Sequence, residues 1–149
     1  MLLALGLAIA GAASAASSPP GATKRMFTDN TYGELQPIPA SDRLVAVVRC
    51  EAVEVQRPGS RSERQQIRAT LIAGASAITP GDTLQLTRYA QGKPVMDNGK
   101  AYLVVAYRES PTGPWTLLEH RPVDAAAATR EYEAAQADLA ARVDGGRPR

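Results

Sequence analysis

The sequence is poor in the residues that build metal and nucleophile sites. Its 149 residues include one cysteine, Cys50, and one histidine, His120. A single cysteine excludes an intramolecular disulfide, and a Cys/His zinc site needs three or four ligands. There is no EF-hand spacing of acidic residues and no Gly-rich phosphate loop. We therefore expect no catalytic residues, no metal and no other cofactor, although a hydrolase or a metal site built from carboxylates stays open.

Net charge and aromatic content are low as well, which limits the partners. The formal net charge of +2 is too small to indicate a nucleic-acid or membrane partner. Aromatic residues make up only 5% of the chain, and no strand interleaves them with basic residues as single-strand nucleic-acid binders do. We expect no nucleic-acid partner. An apolar content of 44% still predicts a packed domain.

An uncharged apolar run occupies residues 2–16 and ends in Ser-Ser-Pro-Pro at 17–20. It is shorter than the ~20 residues of a membrane-spanning helix. Ala-Ser-Ala at 13–15 fits the small-x-small cleavage pattern. We predict a signal peptide over 1–15, cleaved near Ala15, giving a periplasmic or secreted protein without a stable membrane anchor. A buried N-terminal helix is the alternative, because no basic residue precedes the run.

Proline dominates the next segment, residues 16–42. The four prolines there are Pro19, Pro20, Pro37 and Pro39. This density disfavours a helix or a central strand, so the pattern predicts an extended tether.

Period-two patterns separated by turn residues then predict a β-barrel over 43–123. The expected strands are 44–56, 65–73, 83–89, 101–107 and 115–119. A helix is the alternative for 65–73. The first strand is long, so we expect a bulge near Arg49 and Cys50. The fourth is apolar enough to be buried on both faces.

Residues 124–144 change to a helical period. One stripe is apolar, and it consists of Ala128, Tyr132, Ala135, Leu139 and Val143. Asp124 is the expected N-cap, and Asp138 and Arg142 are spaced for an i,i+4 ion pair. A helix cannot bury such a stripe alone, so we expect it to pack on the barrel. Residues 145–149 are expected to form a disordered tail.

Three stretches in order carry a family resemblance: VAVVRCEAVEV (45–55), TLIAGASAITPGDTLQL (70–86) and GKAYLVVAY (99–107). The chain resembles the netrin-like domain of bacterial TIMP-like proteins, relatives of tissue inhibitors of metalloproteinases. The resemblance implies a mainly β fold, a five-stranded OB-type Greek-key barrel, here followed by the C-terminal α-helix. It does not imply inhibition, because the inhibitors begin with a zinc-chelating Cys-x-Cys, whereas residues 16–18 are Ala-Ser-Ser.

Arginines cluster around the predicted loop between the first two strands. In OB folds this loop and the one between strands four and five often flank the ligand face. Arginines beside an exposed aromatic can bind a polyanion or stack on bases or sugars. The predicted ligand contacts are Arg57, Arg61, Arg64, Arg108 and Trp115. Solvated loops are the alternative.

The single thiol, Cys50, is a candidate nucleophile or redox group. A nucleophilic cysteine needs a nearby base, and His120 is the one histidine available. Cys50 shares a strand face with Val48 and Ala52, which predicts an inert buried thiol. An intermolecular disulfide is the alternative.

Together these features predict an exported, non-catalytic binding or interaction module, whose partner is an envelope or extracellular protein. One alternative is a protease inhibitor that acts without Cys-x-Cys chelation. Another is an uncharacterised hydrolase that uses carboxylates or Cys50. A fourth hypothesis is envelope assembly through the helix at 124–144. The sequence does not predict an oligomeric state.

Overall fold

The computed structural model describes residues 26–75 and 79–144. The predicted signal peptide at 1–15 and the predicted tail at 145–149 lie outside these residues. Within them, five strands close into a barrel in the order β1-β2-β3-β5-β4. The strands are β1 Arg43–Gln56, β2 Arg64–Ala73, β3 Thr83–Arg88, β4 Ala101–Tyr107 and β5 Trp115–Pro122.

The barrel closes through one parallel pair. β3 and β5 run parallel where Leu86 pairs with Trp115 and Thr87 with Thr116, whereas the other neighbouring strands are antiparallel. This is the Greek-key arrangement of an OB-type barrel. The fold class expected from the sequence, mainly β with a C-terminal helix, is confirmed.

β1 and β4 are buried on both of their faces. In β1, Leu44, Ala46 and Val48 point into the barrel, and Val45 and Val47 point outward into a second core beneath the helices. β4 repeats this pattern with Tyr102, Val104 and Ala106 inward and Leu103 and Val105 outward. The predicted double burial of 101–107 is therefore confirmed, and its cause is the helical layer on the outside of the barrel.

The predicted bulge in the first strand is also present. Cys50 pairs with Ala69 and Ala52 pairs with Arg68, so Glu51 is the extra residue. Such a bulge bends the strand and shifts its inward set by one residue. Beyond it, Val53 packs against the barrel core. Because of this bend, all 14 residues of β1 can follow the curvature of a single barrel.

The segment before the barrel is folded rather than extended. Helix α1 spans Asp29–Leu35 and begins at Thr28, whose hydroxyl accepts from the Thr31 N–H at 3.4 Å. A 3₁₀ turn, Ala40–Asp42, leads into β1. The extended tether predicted for 16–42 is therefore wrong over its described part. Pro37 lies beyond the end of α1, so it does not interrupt the helix.

The C-terminal helix packs on the barrel as expected. A 3₁₀ turn, Ala125–Ala127, precedes helix α2, Ala128–Leu139, and a π-helical turn, Ala140–Asp144, continues it. The Asp124 carboxylate caps the first turn by accepting from the Ala126 N–H at 3.0 Å. The predicted stripe is buried in the second core, where Tyr132 is partly buried. No helix among residues 26–75 and 79–144 is long and apolar enough to cross a membrane.

A buried carboxylate joins α1 to α2. The Asp138 side chain is 1% exposed and pairs with Arg142 at 2.7 Å, as the sequence predicted. It also accepts from the Met26 N–H at 3.0 Å and from the Tyr32 hydroxyl. Burial alone would raise the pKa of Asp138, but the bonds from Tyr32 and Arg142 outweigh it and lower this pKa. Burial and the bond to Asp138 raise the pKa of Tyr32 to about 12.

The two ends of the barrel differ. At the end where β1 finishes, the segment between β3 and β4 inserts Met96, which is 2% exposed, into the barrel core. The buried Gln65 side chain holds that segment by accepting from the Val95 N–H at 2.8 Å and donating to the Lys93 carbonyl at 3.0 Å. This end is plugged, whereas the end where β1 begins contains a cleft.

Candidate functional site

The cleft lies where β1 and β3 begin and β4 ends, and it has a volume of about 690 Å³. Ligand pockets in proteins usually measure roughly 300–1,000 Å³. Its origin is the late start of β5, which pairs with β3 only from Leu86 onward. Pro114 immediately precedes β5 and has no N–H to extend the ladder. Among the described residues, no strand therefore pairs with the first residues of β3 on this edge.

The floor of the cleft is apolar and its rim is polar. Leu44, Leu84 and Trp115 reach the cleft from the barrel core, and Val45 and Leu139 reach it from the second core. The polar lining consists of Ser41, Arg43, Asp82, Thr83, Arg108 and Gln136. An apolar floor with a few hydrogen-bonding groups around it is the usual composition of a small-molecule site.

Three contacts hold the Arg108 side chain in the lining of the cleft. Its guanidinium lies 4.7 Å from the centroid of the Trp115 ring. Nε donates to the Asp42 carboxylate at 3.1 Å, and Nη2 donates to the Ser41 carbonyl at 3.2 Å. A guanidinium carries five N–H bonds. The described residues occupy two of them, so three remain for a ligand.

The charge of the lining is nearly balanced. The described lining contains two positive side chains, Arg43 and Arg108, and one negative side chain, Asp82. Asp42, outside the lining, forms an ion pair with Arg108. Arg43 is fixed by its Nε, which donates to the Ile38 carbonyl at 2.7 Å. The cleft thus offers directed hydrogen-bond donors rather than a strong positive field.

The structure divides the predicted ligand contacts between the two ends of β1. Arg108 and Trp115 lie together in the cleft. Arg57, Arg61 and Arg64 lie at the far end, around the loop that follows Gln56. There Arg57 has a left-handed φ of 54° and Arg64 Nε donates to Gln56 Oε1 at 2.7 Å. Ligand contact by either group stays a prediction.

Several cleft residues escaped the sequence reasoning. Ser41 lies in the segment that was interpreted as a tether, and Arg43 is the first residue of β1. Gln136 is one of several exposed polar residues of α2, and no local pattern distinguishes it. Thr83 could have been noticed as the polar residue at the start of a strand, directly after the Pro-Gly-Asp turn.

Cys50 lies on β1 and His120 lies on β5, and these two strands are not neighbours in the barrel. Cys50 is fully buried, which confirms the predicted buried thiol, and its Sγ lies 3.8 Å from Asn98 Oδ1. Burial, then the Glu51 and Asp97 carboxylates, raise the pKa of this thiol. His120 instead packs edge-on against Tyr102 at 5.9 Å.

β4 separates the strands that carry the thiol and the imidazole. Burial, followed by the charge of Arg88, lowers the pKa of His120. No hydrogen bond joins Cys50 to His120 in the part of the chain that the structure describes. Across the same residues, no three His, Cys, Asp or Glu side chains are grouped to hold a metal ion.

Comparison with models of known protein families and with curated proteins gave no match to this chain. The netrin-like resemblance therefore depends on the three sequence stretches themselves.

Proposed function

We propose that this protein is an exported, non-catalytic binding module whose ligand occupies the cleft at the open end of the barrel. The observation that carries the proposal is Arg108, stacked on Trp115 with N–H donors unused by the described residues. It lies at the rim of an apolar cleft of about 690 Å³. Cation, aromatic ring and apolar floor converge here, as they do in sites that orient one ligand.

The buried state of the thiol supports binding rather than thiol catalysis. The reactive form of cysteine is the thiolate, and burial that raises the pKa keeps Cys50 protonated. The cleft lining includes neither Cys50 nor His120.

Export is supported by the uncharged apolar run at 2–16 and the Ala-Ser-Ala at 13–15. The OB-type strand order is what a netrin-like domain would have, and we keep that family as a proposal. Zinc chelation through Cys-x-Cys is not part of the proposed function, because residues 16–18 contain no cysteine.

Filling the cleft tests the proposal. Ala75 is an exposed residue of the lining, so Ala75→Phe places a phenyl ring in the cleft without replacing a core side chain. Ala134→Phe, on an exposed position of α2, is the matched control. Each tagged protein is incubated with envelope extract and washed, and the molecules retained are identified by native mass spectrometry.

We expect wild type and Ala134→Phe to retain the same identified compound and Ala75→Phe to lose it. Retention by Ala75→Phe contradicts the cleft assignment. A parallel variant, with Arg57, Arg61 and Arg64 all replaced by serine, tests the opposite end of β1. If that variant alone loses the compound, the ligand site is the β1–β2 loop.

A further inference from the structure

This inference rests on the proposed function and names the class of ligand. We propose that the cleft binds a singly charged amphiphile. Its carboxylate lies against the Arg108 guanidinium, and its apolar chain enters the mouth of the barrel beside Leu44, Leu84 and Trp115.

The fixed guanidinium argues for a carboxylate. Asp42 and the Ser41 carbonyl hold Arg108 from one side, so its orientation is set before a ligand arrives. The N–H bonds left over form a planar fork, which matches the two oxygens of a carboxylate. The Arg108 side chain is only 24% exposed, so water screens such a contact less than at an open surface.

The balance of charge argues for a single negative charge. Asp42 neutralises Arg108, and Asp82 also lines the cleft, so little net positive potential remains to hold a polyanion. Recognition must come from hydrogen bonds to one group. A polyanion would place its further charges near Asp82.

The apolar floor argues for a hydrocarbon body on the same molecule. Leu44 and Leu84 are barrel-core residues that also line the cleft. Trp115 packs against that core on the barrel side and carries Arg108 on its ring. Arg108 therefore occupies one face of the ring, which disfavours stacking of a base or a sugar on that face and favours contact with an alkyl chain.

The single tryptophan reports on this site directly. Trp115 is the one tryptophan of the chain, so intrinsic emission follows the cleft without a label. The purified protein is titrated with decanoate, decanol and decylamine at pH 7.5 and constant ionic strength, each below the concentration at which it forms micelles or a separate phase. The three probes share a chain and differ in the charge of the headgroup.

We expect a saturable change in emission, with decanoate bound about tenfold more tightly than decanol, as for a hydrogen-bonded charged group. Decylamine should bind more weakly than decanol. In Arg108→Gln the affinity for decanoate should fall to that for decanol. Arg130→Gln, an exposed arginine of α2 outside the cleft lining, is the matched control and should bind as wild type does.

Equal affinities of wild type for decanoate and decanol would overturn the carboxylate assignment, and so would an unchanged decanoate affinity in Arg108→Gln. The comparison of decanoate with decanol uses wild type alone, so it tests the carboxylate assignment even if Arg108→Gln does not fold. A lack of saturable change with all three probes overturns the whole inference. If the three probes bind with equal affinity but Ala75→Phe still loses the retained compound, the ligand class is refuted. The proposed function, a ligand in the cleft, is then unaffected.

Discussion

Tyr32→Phe removes one hydroxyl from the buried contact between α1 and α2. The ring would keep its edge-on contact with Phe27 at 6.1 Å and the Arg142 guanidinium at 5.3 Å. The Asp138 carboxylate would lose one donor, and at 1% exposure it has no access to water as a replacement. Hydrogen bonds to charged groups stabilise by roughly 1.5–3 kcal/mol, so we expect the free energy of unfolding to fall by about 2 kcal/mol.

Urea unfolding at pH 7, followed by Trp115 emission and by circular dichroism, measures this loss. In thermal unfolding the same 2 kcal/mol corresponds to a decrease in Tm of roughly 6–10 °C for a domain of this size. Tyr89→Phe is the matched control, because Tyr89 is 67% exposed and loses the same hydroxyl. The control should stay within about 0.5 kcal/mol of wild type.

The raised pKa of Tyr32 adds an alkaline test of the same contact. A folded pKa of about 12, above the ordinary value of 10.0, means that the stabilisation is complete below pH 10 and is lost as pH rises toward 12. The difference in stability between wild type and Tyr32→Phe should therefore shrink over that interval. Equal losses for the Tyr32 and Tyr89 variants at pH 7, or a difference that does not change with pH, would refute the reasoning.

Three further predictions concern other buried groups. The pKa of Asp138 is lowered in the fold, so the stability that its carboxylate contributes is present above about pH 4 and is lost as pH falls through the folded pKa. The difference in the free energy of unfolding between wild type and Asp138→Asn, measured in urea, should therefore narrow below about pH 4. The Cys50 thiol should react with a colorimetric thiol reagent at pH 8 only after urea unfolding, and rapid labelling of native protein would contradict its burial. Met96→Ala should cost about 2–4 kcal/mol, because it empties the plug of the barrel, and calorimetry showing under about 1 kcal/mol would contradict that role.

Strands bounded by turn residues could be predicted well from the sequence. The range 101–107 matches β4, Ala101–Tyr107, because turn signals lie on both sides of it. The fifth strand was expected to end at 119, but β5 reaches Pro122, which pairs with Tyr102 of β4. A bulge at Leu118, between the residues paired with Val105 and Ala106, breaks the period-two pattern there. Local periodicity shows neither the bulge nor the pairing.

Helix α1 could not be predicted for a related reason. Its seven residues are short for a helix, and their stability depends on tertiary contacts rather than on local propensity. Tyr32 meets Asp138 at a separation of 106 residues, and no local window contains both. The stripe of α2 was visible because it repeats within one segment.

The candidate site was predictable only where its residues share one loop. Arg108 and Trp115 are seven positions apart and were named together from the sequence. Arg43 joins them through the pairing of β1 with β4, where Arg43 lies opposite Tyr107. Arg57, Arg61 and Arg64 are remote from the cleft because the length of β1 separates its two ends.

The hydrogen bond between Met26 and Asp138 brings the start of the described chain beside the C-terminal helix, although the two residues are 112 positions apart. A short flexible linker from residue 144 back to residue 26 would therefore span only a small gap, as circular permutation requires. New termini could be opened in the exposed turn at Gly59, on the far side of the barrel from the cleft. In such a rearranged chain α2 would precede α1 directly, so the two helices would form one continuous hairpin between β5 and β1.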